Sequence, residues 1–265
     1  MDYGIATRTA LVVGGSKGIG YEVAKILAGE GCRVAIVART QHHIDAAVAA
    51  ITDAGGEAVG VSADMSTQEG IESAIAAVGE RLGPPSIVIT QADFHVRGFF
   101  AEITRAEDYV DSYRAYTLSQ VHILHAVLPA MRADGWGRYV HIGSATAKEP
   151  QKTPPHTVAN ATRPSTVGLL KSVADEYAQF GITINTVAPG WIATKTTDRY
   201  LSTHEGLTGD GARRRWLIDV AGVPAGRLGN PAEIASTITY LCSAQAGYLT
   251  GHYIAVDGGL HRSAF

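Results

Sequence analysis

Val12-Val13-Gly14-Gly15-Ser16-Lys17-Gly18-Ile19-Gly20 is the stretch that decides the fold. A β-branched apolar run, Ala10 to Val13, leads into it. Tyr21-Glu22-Val23-Ala24-Lys25-Ile26-Leu27 follows, with its apolar residues at helical spacing. A strand, a glycine-rich turn and a helix N-terminus in that order make an anion site. The first peptide N–H groups of a helix have no internal partner, and the helix dipole adds partial positive charge there. Gly14 permits the tight turn, Gly18 lets the backbone approach a pyrophosphate, and Gly20 lets helix and strand pack closely. The spacing is G-x-x-x-G-x-G rather than G-x-G-x-x-G. Between a strand and a helix, it predicts a dinucleotide-binding turn.

Outward from this turn, strands and helices alternate. The pattern predicts strands at 9–13, 33–38, 57–62, 86–90, 138–143, 183–188 and 253–256. Helices are predicted at 18–28, 42–54, 67–82, 105–133, about 163–180 and 231–243. Alternation at this pitch implies an α/β chain, a Rossmann-type doubly wound parallel sheet of about seven strands with helices on both faces. Ligands in such sheets bind beyond the carboxyl ends of the strands. We expect a single domain over 1–265, with a substrate-lid insertion at 191–225.

Composition narrows the class. The 265 residues suffice for one α/β unit with a large core. A net charge of −3 gives no reason to expect nucleic acid, and the basic run Arg213-Arg214-Arg215 lacks aromatic interleaving. Cys32 and Cys242 lie far apart without metal-type spacing, which suits buried thiols in a reducing compartment and no metal site. No apolar run approaches the ~20 residues of a membrane helix, and the N-terminus runs straight into the first strand, so the expected compartment is the cytoplasm.

The second strand ends Val37-Ala38-Arg39-Thr40. In a dinucleotide fold an acid near here bonds the ribose 2′-OH, whereas an arginine accommodates a 2′-phosphate. This strand ends without an acid, and Lys17 stands in the glycine loop. Two cations at the edges of one ribose site predict NADP(H) as the cofactor.

These residues resemble the short-chain dehydrogenase/reductase family over nearly the whole chain. Val13 to Gly20, including Ser16 and Ile19, is similar to the family's TGxxxGIG with valine for threonine. Asp64, followed by Met65, matches the aspartate that meets the adenine amino group, and is also placed to cap a helix. Asn185 and Pro189-Gly190-Trp191-Ile192-Ala193-Thr194 resemble the N…PGxxxT motif, whose backbone and threonine hold the nicotinamide carboxamide. The segments 226–235 and 249–259 are similar to the C-terminal signature.

The resemblance implies a catalytic serine, tyrosine and lysine, the last two spaced YxxxK on one helix. Ser144 matches the serine. Ala159 falls at the tyrosine position and Arg163 at the lysine position, and no tyrosine lies between Val140 and Glu176. The family's N-N-A-G reads Thr90-Gln91-Ala92-Asp93 here, with Gln91 and Ala92 at cofactor-contacting positions, and Tyr116 replaces its helix asparagine. Asn160 and Arg163 resemble a minority branch in which N-x-x-R stands for YxxxK. Asn160 is expected to donate a hydrogen bond to the substrate oxygen. Arginine hydrogen-bonds ribose hydroxyls but shuttles no proton. Pro164, well placed only in a first turn, predicts that this helix begins near Thr162, with Asn160 at or before its start. Replacement proton donors are Tyr116, His156, His95 and Asp93.

Trp191, Tyr200, Leu207, Trp216 and Leu217 occupy the lid region and suggest a substrate with a sizeable hydrophobic part; His95, His156 and Trp191 are expected around its pocket. The sequence supports an NADP(H)-dependent oxidoreductase acting on a ketone or a 3-oxoacyl-like substrate. Conjugate reduction of an enone, and a non-redox isomerase, cyclase, dehydratase or binding protein, are the alternatives. Apolar stripes (Val110, Tyr113, Thr117, Val121, Leu124, Leu128, Met131; then Val167, Leu170, Ala174, Tyr177) lie on helices through which the family usually pairs. They imply a homodimer or homotetramer of two-fold symmetry.

Overall fold

The computed structural model describes residues 2–92, 96–151, 155–203 and 205–263. Seven parallel strands, β1 (Thr9–Val13), β2 (Arg33–Ala38), β3 (Glu57–Ser62), β4 (Ile87–Gln91), β5 (Gly137–Ile142), β6 (Ile182–Pro189) and β7 (Tyr253–Val256), form one sheet in the order β3-β2-β1-β4-β5-β6-β7. The expected doubly wound sheet is therefore present. Strand order reverses between β1 and β4, and that switch opens a crevice at the carboxyl ends.

The period of two along each strand sorts side chains to two cores. Ala10, Val12, Val34, Ile36, Ile87 and Ile89 face the helices α1 (Gly18–Gly29) and α2 (Gln41–Asp53). The intervening Leu11, Val13, Ala35, Val37 and Val88 face α3 (Gln68–Leu82) on the opposite side. Cys32 and Cys242 are both buried, free thiols of the first core, and burial pushes the Cys32 thiol up to about 12.

Two helical expectations are corrected. The helix expected over 105–133 is α4 (Ala106–Tyr113) and α5 (Ser119–Asp134), joined by a π-helical turn at Arg114–Leu118. A π-turn admits one extra residue into the helical ladder, and such turns favour functional positions. Here it carries Tyr116. The helix expected from about 163 is α6 (Thr157–Tyr177), which begins six residues earlier and holds Pro164 in its interior. Proline removes one helical N–H there, but side chains hold the segment from outside. Thr162 Oγ1 and Ser112 Oγ lie 2.7 Å apart, Thr117 Oγ1 is 2.7 Å from Ser165 Oγ, and Thr166 Oγ1 donates to the Tyr116 carbonyl at 3.0 Å. These hydroxyl contacts and the burial of Val158 and Ala159 outweigh local propensity.

In the lid region, α7 (Lys195–Thr203) and α8 (Asp210–Asp219) precede α9 (Pro231–Cys242), which returns to the sheet beside α1. Tyr200, Leu201, Trp216 and Leu217 form a separate buried cluster with Ala145, Val223 and Leu260. Of the apolar stripes, Leu124, Leu128, Met131, Leu170 and Ala174 are buried within the single chain, while Val110 and Tyr113 are exposed.

Candidate active site

The glycine turn is built as its spacing requires. Gly14 and Gly18 have positive φ (71° and 58°), and a Cβ on Gly20 would stand 2.5 Å from the Gly14 carbonyl oxygen. The N–H groups of Gly18, Ile19 and Gly20 open α1 and point out of its first turn. Across the switch, Gln91 Nε2 donates to the Gly14 carbonyl at 3.0 Å, which ties the end of β4 to the turn; Ala92 follows, half-buried. Thr194 packs over Gly18, its Cγ2 3.7 Å from where a Cβ would lie, so the segment after β6 closes on the glycine loop. Ile192 is buried in the core beneath, and Gly190 donates its N–H to the Val256 carbonyl at 3.2 Å.

Lys17 is exposed at the N-cap of α1, and Arg39 and Thr40 are exposed at the end of β2. The Lys17 charge, after desolvation and His42, helps hold His43 on α2 below the usual imidazole range, so Lys17 faces the segment that Arg39 leads into. Asp64 Oδ1 accepts from Ser66 N (2.9 Å) and Ser66 Oγ (2.7 Å), and these bonds lower its pKa. The helix cap itself is Thr67, which accepts from Gly70 N, so Asp64 closes the turn before α3 rather than capping it. Met65 lies partly buried against the second core. An open helix N-terminus, a glycine cradle without Cβ atoms and a basic ribose edge fit a phosphorylated dinucleotide.

Ser144 follows β5, where its hydroxyl caps a short 3₁₀ turn, Ala145–Ala147. Arg163 on α6 reaches it. Nη1 donates to Ser144 Oγ at 3.2 Å and to Thr146 Oγ1 at 2.7 Å, and Nη2 donates to Tyr116 OH at 3.0 Å. The Arg163 guanidinium also lies 5.2 Å from the Tyr116 ring centroid. Ser144, Arg163 and Tyr116, separated widely in sequence, are thus one hydrogen-bonded group. From behind, Tyr253 OH on β7 donates to the Ser144 carbonyl at 2.7 Å and fixes the strand end.

Two cavities meet at Ser144 and Arg163. The larger, about 150 Å³, is lined by both residues together with His156, Gln151, Pro189, Gly190 and Trp191. The smaller, about 10 Å³, has room for about one water and is lined by Tyr116, His141, Gly143 and Thr166 besides Ser144 and Arg163. Tyr116 therefore lies behind Arg163, apart from the larger cavity. His156 caps α6 at its start, and the preceding Pro155 carbonyl accepts from Gly98 N at 3.1 Å. His95 and Asp93 lie outside the described residues.

Asn160 is a correction. Its Nδ2 donates to the Gln151 carbonyl at 3.1 Å, and it lines neither cavity. Because the helix starts early, Asn160 is within it, turned to the loop that Gln151 ends; it anchors that loop instead of facing the substrate oxygen. The apolar residues expected around the substrate divide into two groups. Trp191 and Tyr200 face the larger cavity, but Trp216 and Leu217 are spent in the buried cluster, with Trp191 and Trp216 edge-on at 5.0 Å.

Beneath the site runs a buried polar chain that the sequence did not suggest. Gln120 Oε1 accepts from Thr90 Oγ1 and from Tyr139 OH, each at 2.7 Å. The single Thr90 proton is therefore spent, so His141 Nδ1, 3.0 Å away, donates to Thr90 Oγ1. His141 then keeps an unprotonated Nε2. Burial, and secondarily the Arg163 charge, push its pKa down to about 4, so it stays neutral. Thr146, Gln151 and Tyr253 were likewise unforeseen. Single polar residues on strand ends and loops carry no periodicity that would single them out. Among the described residues no cluster of three metal-ligating side chains occurs, and no helix is long and apolar enough to cross a membrane.

With this geometry in hand, known proteins supply a frame. The profile of the family described as enoyl-(acyl carrier protein) reductase matches residues 13–261. The 3-oxoacyl-[acyl-carrier-protein] reductase of Haemophilus influenzae is 32% identical over 97% of this chain and 99% of its own length. L-sorbose reductase from Gluconobacter frateurii, solved with NADPH and L-sorbose, superposes with a TM-score of 0.90 at 27% identity, covering 99% of this chain and 100% of that one. An NADPH-bound short-chain oxidoreductase from Pseudomonas aeruginosa, described as containing an atypical catalytic center, superposes with a TM-score of 0.88 at 28% identity, covering 99% and 100%.

Proposed function

The chain belongs to the short-chain dehydrogenase/reductase family, and from that premise we propose that it is an NADP(H)-dependent reductase of a carbonyl substrate whose active site works without the family's tyrosine and lysine. The observation that carries this is the Ser144–Arg163 pair, bonded at 3.2 Å and lining one cavity with His156, Pro189 and Gly190. NADPH binding by reductases of this fold, one of them with an atypical center, supports the cofactor and the altered chemistry.

The glycine cradle, the α1 N-terminus and the Lys17–Arg39 edge hold the cofactor, and Arg163 and Thr194 orient its nicotinamide end. When bound, NADPH supplies a hydride to the carbonyl carbon. Ser144 and Arg163 donate hydrogen bonds to the carbonyl oxygen as negative charge develops on it, the kind of preorganised stabilisation in which each donor matters most. Arginine remains protonated, so the proton comes from elsewhere. Among the described candidates, His156 shares the cavity with the pair, whereas Tyr116 lies behind Arg163; His156 is the proton donor and Tyr116 positions Arg163.

The test uses NADPH oxidation against a panel of ketones and enones. Ser144→Ala is expected to lower turnover ~10²–10³-fold, and His156→Gln to lower it ~10²–10⁴-fold, with loss of the alkaline limb of the pH profile. A loss confined to Ser144→Ala, with enones reduced at the β-carbon, would transfer the assignment to conjugate reduction. Full activity in both variants would remove the redox assignment.

A further inference from the structure

The larger cavity holds two guanidinium groups and no carboxylate among the described residues that line it. Arg163 is bonded to three hydroxyls, none of which offsets its charge. Arg97 stands at the mouth, exposed, with its guanidinium 5.0 Å from the Tyr200 ring centroid. It forms no ion pair with any described acid.

Glu102, on the same loop as Arg97, accepts from Phe99 N at 2.8 Å, and the other described acids of the surrounding elements also hold bonds of their own. Glu205 accepts from Tyr200 OH at 2.8 Å and from Trp216 Nε1 at 2.9 Å. Asp198 pairs with Arg213 at 2.8 Å. Glu149 accepts the backbone N–H groups of Arg262 and Ser263, and Asp257 is bonded to His261. Each holds a bond of its own and none lines the cavity, so the charged side chains of its described lining are positive.

In the proposed reduction Arg163 supplies the cation beside the reacting oxygen. Arg97 is surplus to it. The Tyr200 ring holds Arg97 over the opening, and the Gly98–Pro155 hydrogen bond holds its backbone beside His156. The cavity is about 150 Å³, and the nicotinamide would take the part against Pro189 and Gly190, which leaves room for a substrate of a few carbons. Of the apolar residues of this region, Trp191 and Tyr200 face the cavity, whereas Leu201, Trp216 and Leu217 are buried in a cluster and add nothing to its lining.

Resting on the proposed reduction, we infer that the substrate is a short oxo acid, its carbonyl oxygen at Ser144 and Arg163 and its carboxylate on Arg97. The planar fork of arginine matches a carboxylate with two parallel hydrogen bonds. A phosphonate shares the chemistry but is bulkier, and the experiment separates the two.

With NADPH, kcat/KM is measured for 3-oxobutanoate, its ethyl ester and 2-oxopropylphosphonate, on the natural protein, Arg97→Gln and Arg97→Lys. Binding of 3-hydroxybutanoate to the NADP⁺ complex is followed in parallel by tryptophan fluorescence. A charge-assisted bond of this kind corresponds to at least about tenfold. The acid is expected to exceed its ester by that factor, Arg97→Gln to abolish the preference, and Arg97→Lys to restore part of it. An equal or greater rate on the ester, or an acid preference unchanged in Arg97→Gln, overturns the inference and leaves carbonyl reduction standing. Arg97-dependent preference for the phosphonate alone overturns the carboxylate assignment. If nothing is reduced, the proposed reaction fails. Binding then decides: tenfold weaker 3-hydroxybutanoate in Arg97→Gln upholds the anion site, and equal binding overturns it.

Discussion

Replacing Tyr116 by phenylalanine removes one oxygen from the π-turn and asks whether the relocated tyrosine is the acid. In the structure that oxygen accepts a hydrogen bond from Arg163 Nη2 at 3.0 Å, in a residue 5% exposed. Arg163 keeps its bonds to Ser144 and Thr146 in the variant, at 3.2 and 2.7 Å. The loss of that bond to a charged donor costs about 1.5–3 kcal/mol of stability. Because two of the three anchors persist, the guanidinium stays in place and turnover falls less than about tenfold. A general acid in the same position would make the fall ~10²–10⁴-fold. The assay is steady-state NADPH oxidation across pH, with urea unfolding as the stability readout. A fall above 10²-fold, with the alkaline limb lost in Tyr116→Phe and kept in His156→Gln, would refute the assignment of the proton to His156.

Other outcomes follow from the same geometry. With Lys17 and Arg39 at the ribose edge of the proposed cofactor site, NADPH is expected to bind at least about tenfold tighter than NADH, and Arg39→Asp to cancel or reverse the preference; titration of cofactor fluorescence checks both. His141 has a folded-state pKa of about 4 against an ordinary 6.5. The unfolded chain takes up its proton as pH falls through 6.5, whereas the native chain does so only near 4, so this contribution is complete above pH 6.5 and is lost between there and pH 4. The loss amounts to about 3 kcal/mol, measured as urea stability against pH, and a His141→Gln chain should show a flatter profile over that window. For assembly, Val110 and Tyr113 remain exposed on α4, 47% and 41%, and light scattering is expected to give a dimer or tetramer that a Val110→Glu, Tyr113→Glu chain weakens. A concentration-independent monomer mass in the unmutated protein would refute that expectation.

The sequence by itself determined whatever rests on neighbours in the chain. The glycine turn was legible because Gly14, Gly18 and Gly20 act through local backbone conformation and close approach within one strand–turn–helix unit. The strands were legible because their alternation is a local period; all seven parallel strands lie within a residue of their expected ends. Ser144 and Arg163 were legible through the resemblance, at positions set by the strand and helix that carry them.

Tertiary structure decided the rest. Pro164 predicts a late helix start from local propensity. Hydroxyl contacts of Thr162, Ser165 and Thr166 with α4 and the π-turn, made across some fifty residues of chain, extend α6 back to Thr157. That extension turns Asn160 to the Gln151 carbonyl and sets His156 at the helix start, beside the cavity. In register Tyr116 stands at the family's asparagine position, yet a π-turn and the Arg163 bond place it behind the guanidinium. Arg97 has no motif at all; it matters because a loop after β4 meets the segment before α6 at Gly98 and Pro155. Which side chains share a cavity is a property of long-range packing, and one chain's local pattern carries no record of it.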